Sequence, residues 1–338
     1  MRTDSRLPMK SCLQALLLAF GMALSFFTFA GSLAGPATPN SGAIDAKLVR
    51  ASVISTVELL NEIYVYPETA RTAGVEMLRR LEAGAYNTIA SKQEFADRIS
   101  AELVELTGDG HMGVMVAEGD EPPTHVLQET VDRFRLNYGF QKVEVLDGNI
   151  GYLKLNKFHP DDEAQPIADH ALAFLGGTDA LIIDLTECKG GSPDLVRHVL
   201  SYFFADGTSL WSIVDRDGKT VYEAVAKAGV GSGRFKRDFP LFVLTGPDTA
   251  SAAELFAHTL QSYGKAKTVG QRTAGIAHLV GAKAINEHFV GRFSTYRNTN
   301  PVTHTDWEGK GVTPDHPAAL GDSLTMAIRM AAESKGRK

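Results

Sequence analysis

Cysteine is almost missing: the 338 residues hold two, Cys12 and Cys188. Cys12 falls within an N-terminal stretch that reads as a removed leader. Cys188 is then alone, and an internal disulfide is excluded. The mature chain must stand on its apolar core. Long basic runs are also lacking. With 34 Lys and Arg against 40 Asp and Glu, the net charge is −6. A chain built to neutralise phosphates carries the opposite balance, so nucleic acid is not an expected partner. No internal repeat is visible.

What is present begins with the leader. Arg2, Arg6 and Lys10 precede the apolar stretch Leu13 to Phe29, and small residues from Ala30 to Gly35 lead to Pro36. This order predicts a signal peptide over 1–35 and a periplasmic or secreted product with no stable membrane anchor after cleavage. The alternative is an uncleaved anchor, since the stretch approaches the length of a span.

From Ile44 to Leu106 the pattern is helical. Val49, Val53, Val57, Leu60 and Tyr64 share one face, and Tyr66-Pro67 ends that helix. A second helix covers about Thr69 to Leu81. A capping box at Ser91-Lys-Gln-Glu94 opens a third, with Phe95, Ile99, Leu103 and Leu106 inward. The expected divisions are an N-terminal helical domain over 43–116, a linker over 117–137, an α/β core over 138–320, and a C-terminal helix and tail over 321–338. In the core, a hairpin at Phe140 to Phe158 precedes strands that alternate with helices, which predicts a parallel-type α/β sheet.

Two strand-to-helix turns stand out. Leu241-Phe-Val-Leu244 is an apolar run of buried-strand type, broken by Gly246-Pro247-Asp248, and a helical pattern follows. Ser251 sits between them, where a turn lifts a hydroxyl clear of the sheet beside free backbone N–H groups. Such a place suits an acyl-transfer nucleophile, because the N–H groups can hold an oxyanion. Ser251-Ala-Ala-Glu254 equally fits a capping box. The other turn, Gly190-Gly191 after Leu181-Ile-Ile-Asp184, could lend a second N–H beside that of Ala252, or could simply serve its own turn. His111, at a Gly-rich turn, and Glu308, between Trp307 and Gly309, are candidate base and orienting acid. A surface histidine and a solvated carboxylate are the competing readings.

Four segments in this order resemble the C-terminal processing (tail-specific) serine peptidase family, in the branch with the tricorn core and the interphotoreceptor retinoid-binding protein. They are Asp109-Gly-His111, Asp184-Leu-Thr-Glu-Cys-Lys-Gly-Gly191, Thr249-Ala-Ser-Ala-Ala-Glu254 and Trp307-Glu-Gly-Lys-Gly-Val-Thr-Pro-Asp315. The resemblance implies a crotonase-like core of ββα units. It makes Ser251 the nucleophile, His111 the base and Glu308 its orienter, with Ala252 and Gly190 or Gly191 supplying the oxyanion hole. It implies no cofactor and no metal, and a peptide or unfolded protein as substrate.

The chain also departs from the family. The window Arg272 to Leu279 lacks the lysine of the family's Ser–Lys enzymes and offers His278 as a rival base. Ala117 to Asp147 is too short for a PDZ domain. Thr186 and Cys188 replace the family's Arg and Asn, so Cys188 reads as structural. The alternatives are a non-catalytic protein that binds apolar ligands or peptides on the same fold, and an esterase.

Overall fold

The computed structural model describes residues 42–117, 136–231 and 233–335. The expected leader and nearly all of the expected linker lie outside this range. Among the described residues no helix is long and apolar enough to cross a membrane.

Three helices come first: α1 (Ala46–Ile63), α2 (Pro67–Glu82) and α3 (Lys92–Thr107). Their ends follow the sequence. Asp45 accepts the N–H of Leu48, Pro67 opens α2, and Ser91 accepts the N–H of Glu94. Gly108, in the left-handed region, closes α3.

The strands form two sheets. The first uses β2 (Phe140–Leu146), β3 (Ile150–Leu155), β4 (Ala180–Asp184), β7 (Leu241–Thr245), β8 (Lys267–Gly270) and β11 (His316–Pro317), in the order β11-β8-β7-β4-β3-β2. All neighbours are parallel except the β2–β3 hairpin. The second, antiparallel sheet joins β1 (Gly113–Val116), β10 (Phe289–Thr299), β5 (Ser209–Val214) and β6 (Thr220–Val225), with β9 (Leu279–Asn286) also paired to β10.

The apolar runs of β4 and β7 are buried along their whole length because both faces of the first sheet are covered. Leu181, Ile183 and Val243 point to the side of α4 (Ala164–Phe174), α5 (Pro193–Leu200) and α6 (Ala252–Ser262). Ile182, Phe242 and Leu244 point to the other side, where Ala327 and Ala331 of α7 (Leu320–Lys335) close the layer. Strands β3, β4, β7 and β8 advance in one direction across the sheet. Right-handed crossovers therefore put α4, α5 and α6 on the same face.

The N-terminal helices do not form a core of their own. Val53, Leu60, Met77, Phe95, Ile99 and Leu103 are buried together with Ile285, Phe289 and Phe293 of the second sheet. The rings of Phe95 and Phe289 lie 4.5 Å apart. Phe289 is fully buried. Phe289→Ala should cost about 3–5 kcal/mol of stability. Urea unfolding followed by tryptophan fluorescence and far-UV circular dichroism would measure it, and a loss below about 1 kcal/mol would contradict this packing.

Candidate active site

Strands β4 and β7 lie side by side, so the turns that follow them are neighbours. Leu185 N–H donates to the Leu244 carbonyl at 3.0 Å and Ala250 N–H to the Cys188 carbonyl at 3.0 Å. Thr249 Oγ1 donates to the Leu185 carbonyl at 2.8 Å and accepts from Gly246 N–H at 2.9 Å. Ser251 ends the second turn with φ 52° and ψ −119°, a left-handed conformation that a non-glycine residue adopts only under constraint. Gly190 packs against it: a Cβ there would fall 2.9 Å from both Ser251 Cβ and Ala252 N, at a φ of +99°. Gly191 passes so close to Phe158 that a Cβ would meet its carbonyl oxygen at 2.0 Å. The structure thus brings Ser251, Ala252, Gly190 and Gly191 to one point.

The positions where Thr186 and Cys188 replace other residue types are locally supported. Thr186 donates from N and Oγ1 to Asp184 Oδ1 at 2.9 and 2.7 Å, and Tyr152 donates to Asp184 Oδ2 at 2.6 Å. Burial pushes the Cys188 thiol up to about 12, which leaves it inert at neutral pH.

A second cluster is built from three segments. Asp109 is fully buried in the turn after α3. Its Oδ1 accepts His111 N–H at 2.9 Å, and its Oδ2 accepts His278 Nδ1 at 2.7 Å and the Tyr64 hydroxyl at 3.3 Å. Glu308 Oε2 accepts the N–H groups of Ala277 and His278 at 2.6 and 3.0 Å and lies 3.5 Å from His278 Nδ1. Trp307 fixes the turn that carries Glu308. Its Nε1 donates to the Ile276 carbonyl at 3.2 Å and its ring lies 5.0 Å from that of His258. Glu308 therefore holds His278, not His111. Two buried atoms, His111 Nδ1 and Glu308 Oε1, have no partner. His278 Nε2 is also buried without one.

The charges follow from these contacts. Burial would lower His278, but the Asp109 hydrogen bond and charge, with Glu308 adding, raise it above the usual imidazole range. Burial would raise Asp109, but His278 and then His111 outweigh it and hold Asp109 low. Burial and the Asp109 charge lift Glu308 to about 7 against His278 and two backbone N–H groups. Burial drops His111 to about 4 although Asp109 opposes it.

Asp109, His278 and Glu308 each present one donor atom within 4.8 Å of the others, a set that could hold a divalent cation. Within the protein, His278 Nδ1 bonds Asp109 and Glu308 Oε2 takes two backbone N–H groups, whereas His278 Nε2 and Glu308 Oε1 have no partner.

One segment links the two clusters. Glu254, fully buried in the first turn of α6, accepts Ser251 N–H and Ile276 N–H on Oε2, both at 2.9 Å. Its Oε1 accepts Gly275 N–H at 2.7 Å and Thr273 Oγ1 at 2.5 Å. Ser251 and Ile276 are thus joined through a single oxygen, and His278 is two residues further on. The sequence showed Glu254 only as a helix cap and Asp109 only as part of a motif. The spacing Asp-x-His, in which a carboxylate reaches the N–H two residues on, was the available signal for Asp109.

The profile for "Peptidase family S41" matches residues 149–318. The chain belongs to peptidase family S41. The profile described as the N-terminal domain of peptidase S41 in eukaryotic IRBP matches residues 46–137. The chloroplastic carboxyl-terminal-processing peptidase 2 of Arabidopsis thaliana is 27% identical over 63% of this chain and 41% of that protein. The carboxyl-terminal-processing protease of a Picosynechococcus strain is 24% identical over 81% of this chain and 64% of its own length. This S41 chain thus spans less than two thirds of either relative. Among solved structures, the photosystem II D1 C-terminal processing protease shares the fold with a TM-score of 0.53 at 15% identity, over 84% of this chain and 97% of that one.

Glu308 supplies a test of the cluster's electrostatics. Its folded pKa, about 7, lies above the ordinary 4.5. A raised folded value stabilises fully below pH 4.5, and that contribution is lost as pH rises through about 7. Glu308→Gln mimics the protonated acid. Urea unfolding from pH 4.5 to 8 should show wild type losing stability relative to Glu308→Gln across this window. Parallel curves would mean that Glu308 titrates normally.

Proposed function

We propose that this chain is an exported serine peptidase, periplasmic or secreted, that hydrolyses peptide bonds in peptides or unfolded proteins. The observation that carries the reading is the turn at Ser251, a left-handed serine between a parallel strand and a helix, with Gly190 against its Cβ. Ser251 Oγ attacks the carbonyl carbon while an imidazole takes its proton. The N–H of Ala252 and that of Gly191 or Gly190 hold the oxyanion. The C–N bond then breaks, the imidazole returns the proton to the leaving amine, and water releases the acyl group from Ser251.

The base is His278 in this reading. A triad base needs one ring nitrogen held by a carboxylate and the other free, and His278 has that arrangement, with Asp109 and Glu308 stabilising the imidazolium. One observation favours His111 instead: taken as a whole residue it is partly exposed, whereas the His278 side chain is 1% exposed. We also infer a crotonase-like core, the division into helical domain, linker, core and C-terminal helix given above, and no PDZ domain.

A fluorophosphonate reporter should label Ser251, and Ser251→Ala should abolish labelling and peptide hydrolysis. Replacing the true base by Ala should cost about 10⁴-fold or more in kcat/KM, and replacing the other histidine much less. Absence of label on the folded wild type, with binding of apolar ligands or peptides intact, would favour a carrier. Turnover of esters but no amides would favour an esterase.

A further inference from the structure

The buried carboxylate of Glu254 does more than a helix cap requires. A cap needs one bond, to Ser251 N–H. Glu254 accepts four: Ser251 N–H and Ile276 N–H on one oxygen, Gly275 N–H and the Thr273 hydroxyl on the other. Every partner is a neutral donor, and no salt bridge to Lys, Arg or His is formed by Glu254 among the described residues. A carboxylate at zero exposure is stabilised here by donors and by the N-terminus of α6 alone. Burial raises the proton affinity of Glu254, and the Thr273 hydroxyl and the three backbone N–H groups oppose that by favouring the carboxylate.

The three donors beyond the cap belong to the segment between β8 and β9. That segment is tied at several other points. Ala274 N–H donates to the Thr249 carbonyl at 3.0 Å and Gly309 N–H to the Gly275 carbonyl at 2.8 Å. Thr273 Oγ1, having given its proton to Glu254, accepts Val312 N–H at 2.7 Å. Further along, Ala277 and His278 bind Glu308. Among the described residues, Glu254 is therefore the one side chain that grips both the strained backbone of Ser251 and the segment that leads into His278.

We propose that Glu254 is a positioning residue for the reaction at Ser251: its carboxylate locks the left-handed serine turn to the Thr273–Ile276 segment and so sets the nucleophile and the imidazole cluster in register. This inference rests on Ser251 being the nucleophile, but the clamp itself is a property of the fold. The amide Glu254→Gln keeps the shape and reverses one end of the group. With its NH2 on the Oε2 side it confronts the N–H groups of Ser251 and Ile276. On the Oε1 side it confronts Gly275 N–H, while the Thr273 hydroxyl can rotate to accept. Either way at least one backbone N–H loses its acceptor, and the serine turn or the segment relaxes.

The test measures two quantities on the full chain. The first is the rate of labelling by a fluorophosphonate reporter, resolved into maximal rate and half-saturating concentration. The second is hydrogen exchange of peptides covering 249–252 and 273–278, which needs no catalysis. Glu254→Gln should lower the maximal labelling rate about 100-fold, as an ångström-scale misplacement does, with little change in half-saturation. Glu254→Asp, which keeps the charge on a shorter arm, should recover part of the rate. Exchange should rise in both peptides and not in α1–α3. Thr273→Val removes one donor only and serves if Glu254→Gln does not fold; it should lower the rate several-fold and raise exchange in 273–278. Labelling and exchange equal to wild type in Glu254→Gln, or in Thr273→Val where that variant stands in, would overturn the clamp while leaving Ser251 as nucleophile. Raised exchange in a protein whose wild type takes no label would uphold the clamp and sink the nucleophile.

Discussion

Just beyond the end of β4, the N–H of Leu185 reaches the carbonyl of Leu244 within β7, and this parallel pairing governs everything built above it. Two strands advancing side by side deliver their following turns to the same edge of the sheet, so Gly190 meets Ser251 without any long excursion of the chain. The pairing tolerates no slip. A shift by one residue would exchange Leu181 and Ile183 for Ile182 on the helix-covered face, and both faces are buried. Burial of two opposite apolar faces thus sets the position of a polar turn.

Charge is handled in an unusual way in this region. Asp109 and Glu254 are fully buried and Glu308 nearly so, and none is paired with Lys or Arg among the described residues. Each takes backbone N–H groups instead. A guanidinium would hold such a carboxylate more cheaply but would also fix its charge. With hydrogen-bond donors in place of a guanidinium, Asp109 and Glu308 both draw on the imidazole of His278, which raises its proton affinity against burial.

Much of this could be read along the chain because it is local. The apolar runs of β4 and β7, the caps at Ser91 and Gly108, and the turn at Ser251 all announce themselves within a few residues. What escaped depends on distant pairing. Gly113 faces Arg292 across β1 and β10, and that contact merges the N-terminal helices with the second sheet. No periodicity within the helices could signal it. Glu254 looked like a cap because its Ser251 contact lies three residues away, whereas its other donors come from 273–276. Which imidazole Glu308 would hold was equally hidden, since it is decided by the path of the segment before β9.

The cluster of Asp109, His278 and Glu308 draws on points spread from the end of α3 to the last turns before β11. During synthesis the chain emerges N-terminus first. Asp109 must then wait for its imidazole until His278, 169 residues further on, has left the ribosome. A growing polypeptide of this kind carries an unfinished centre until the segment with Glu308 emerges as well.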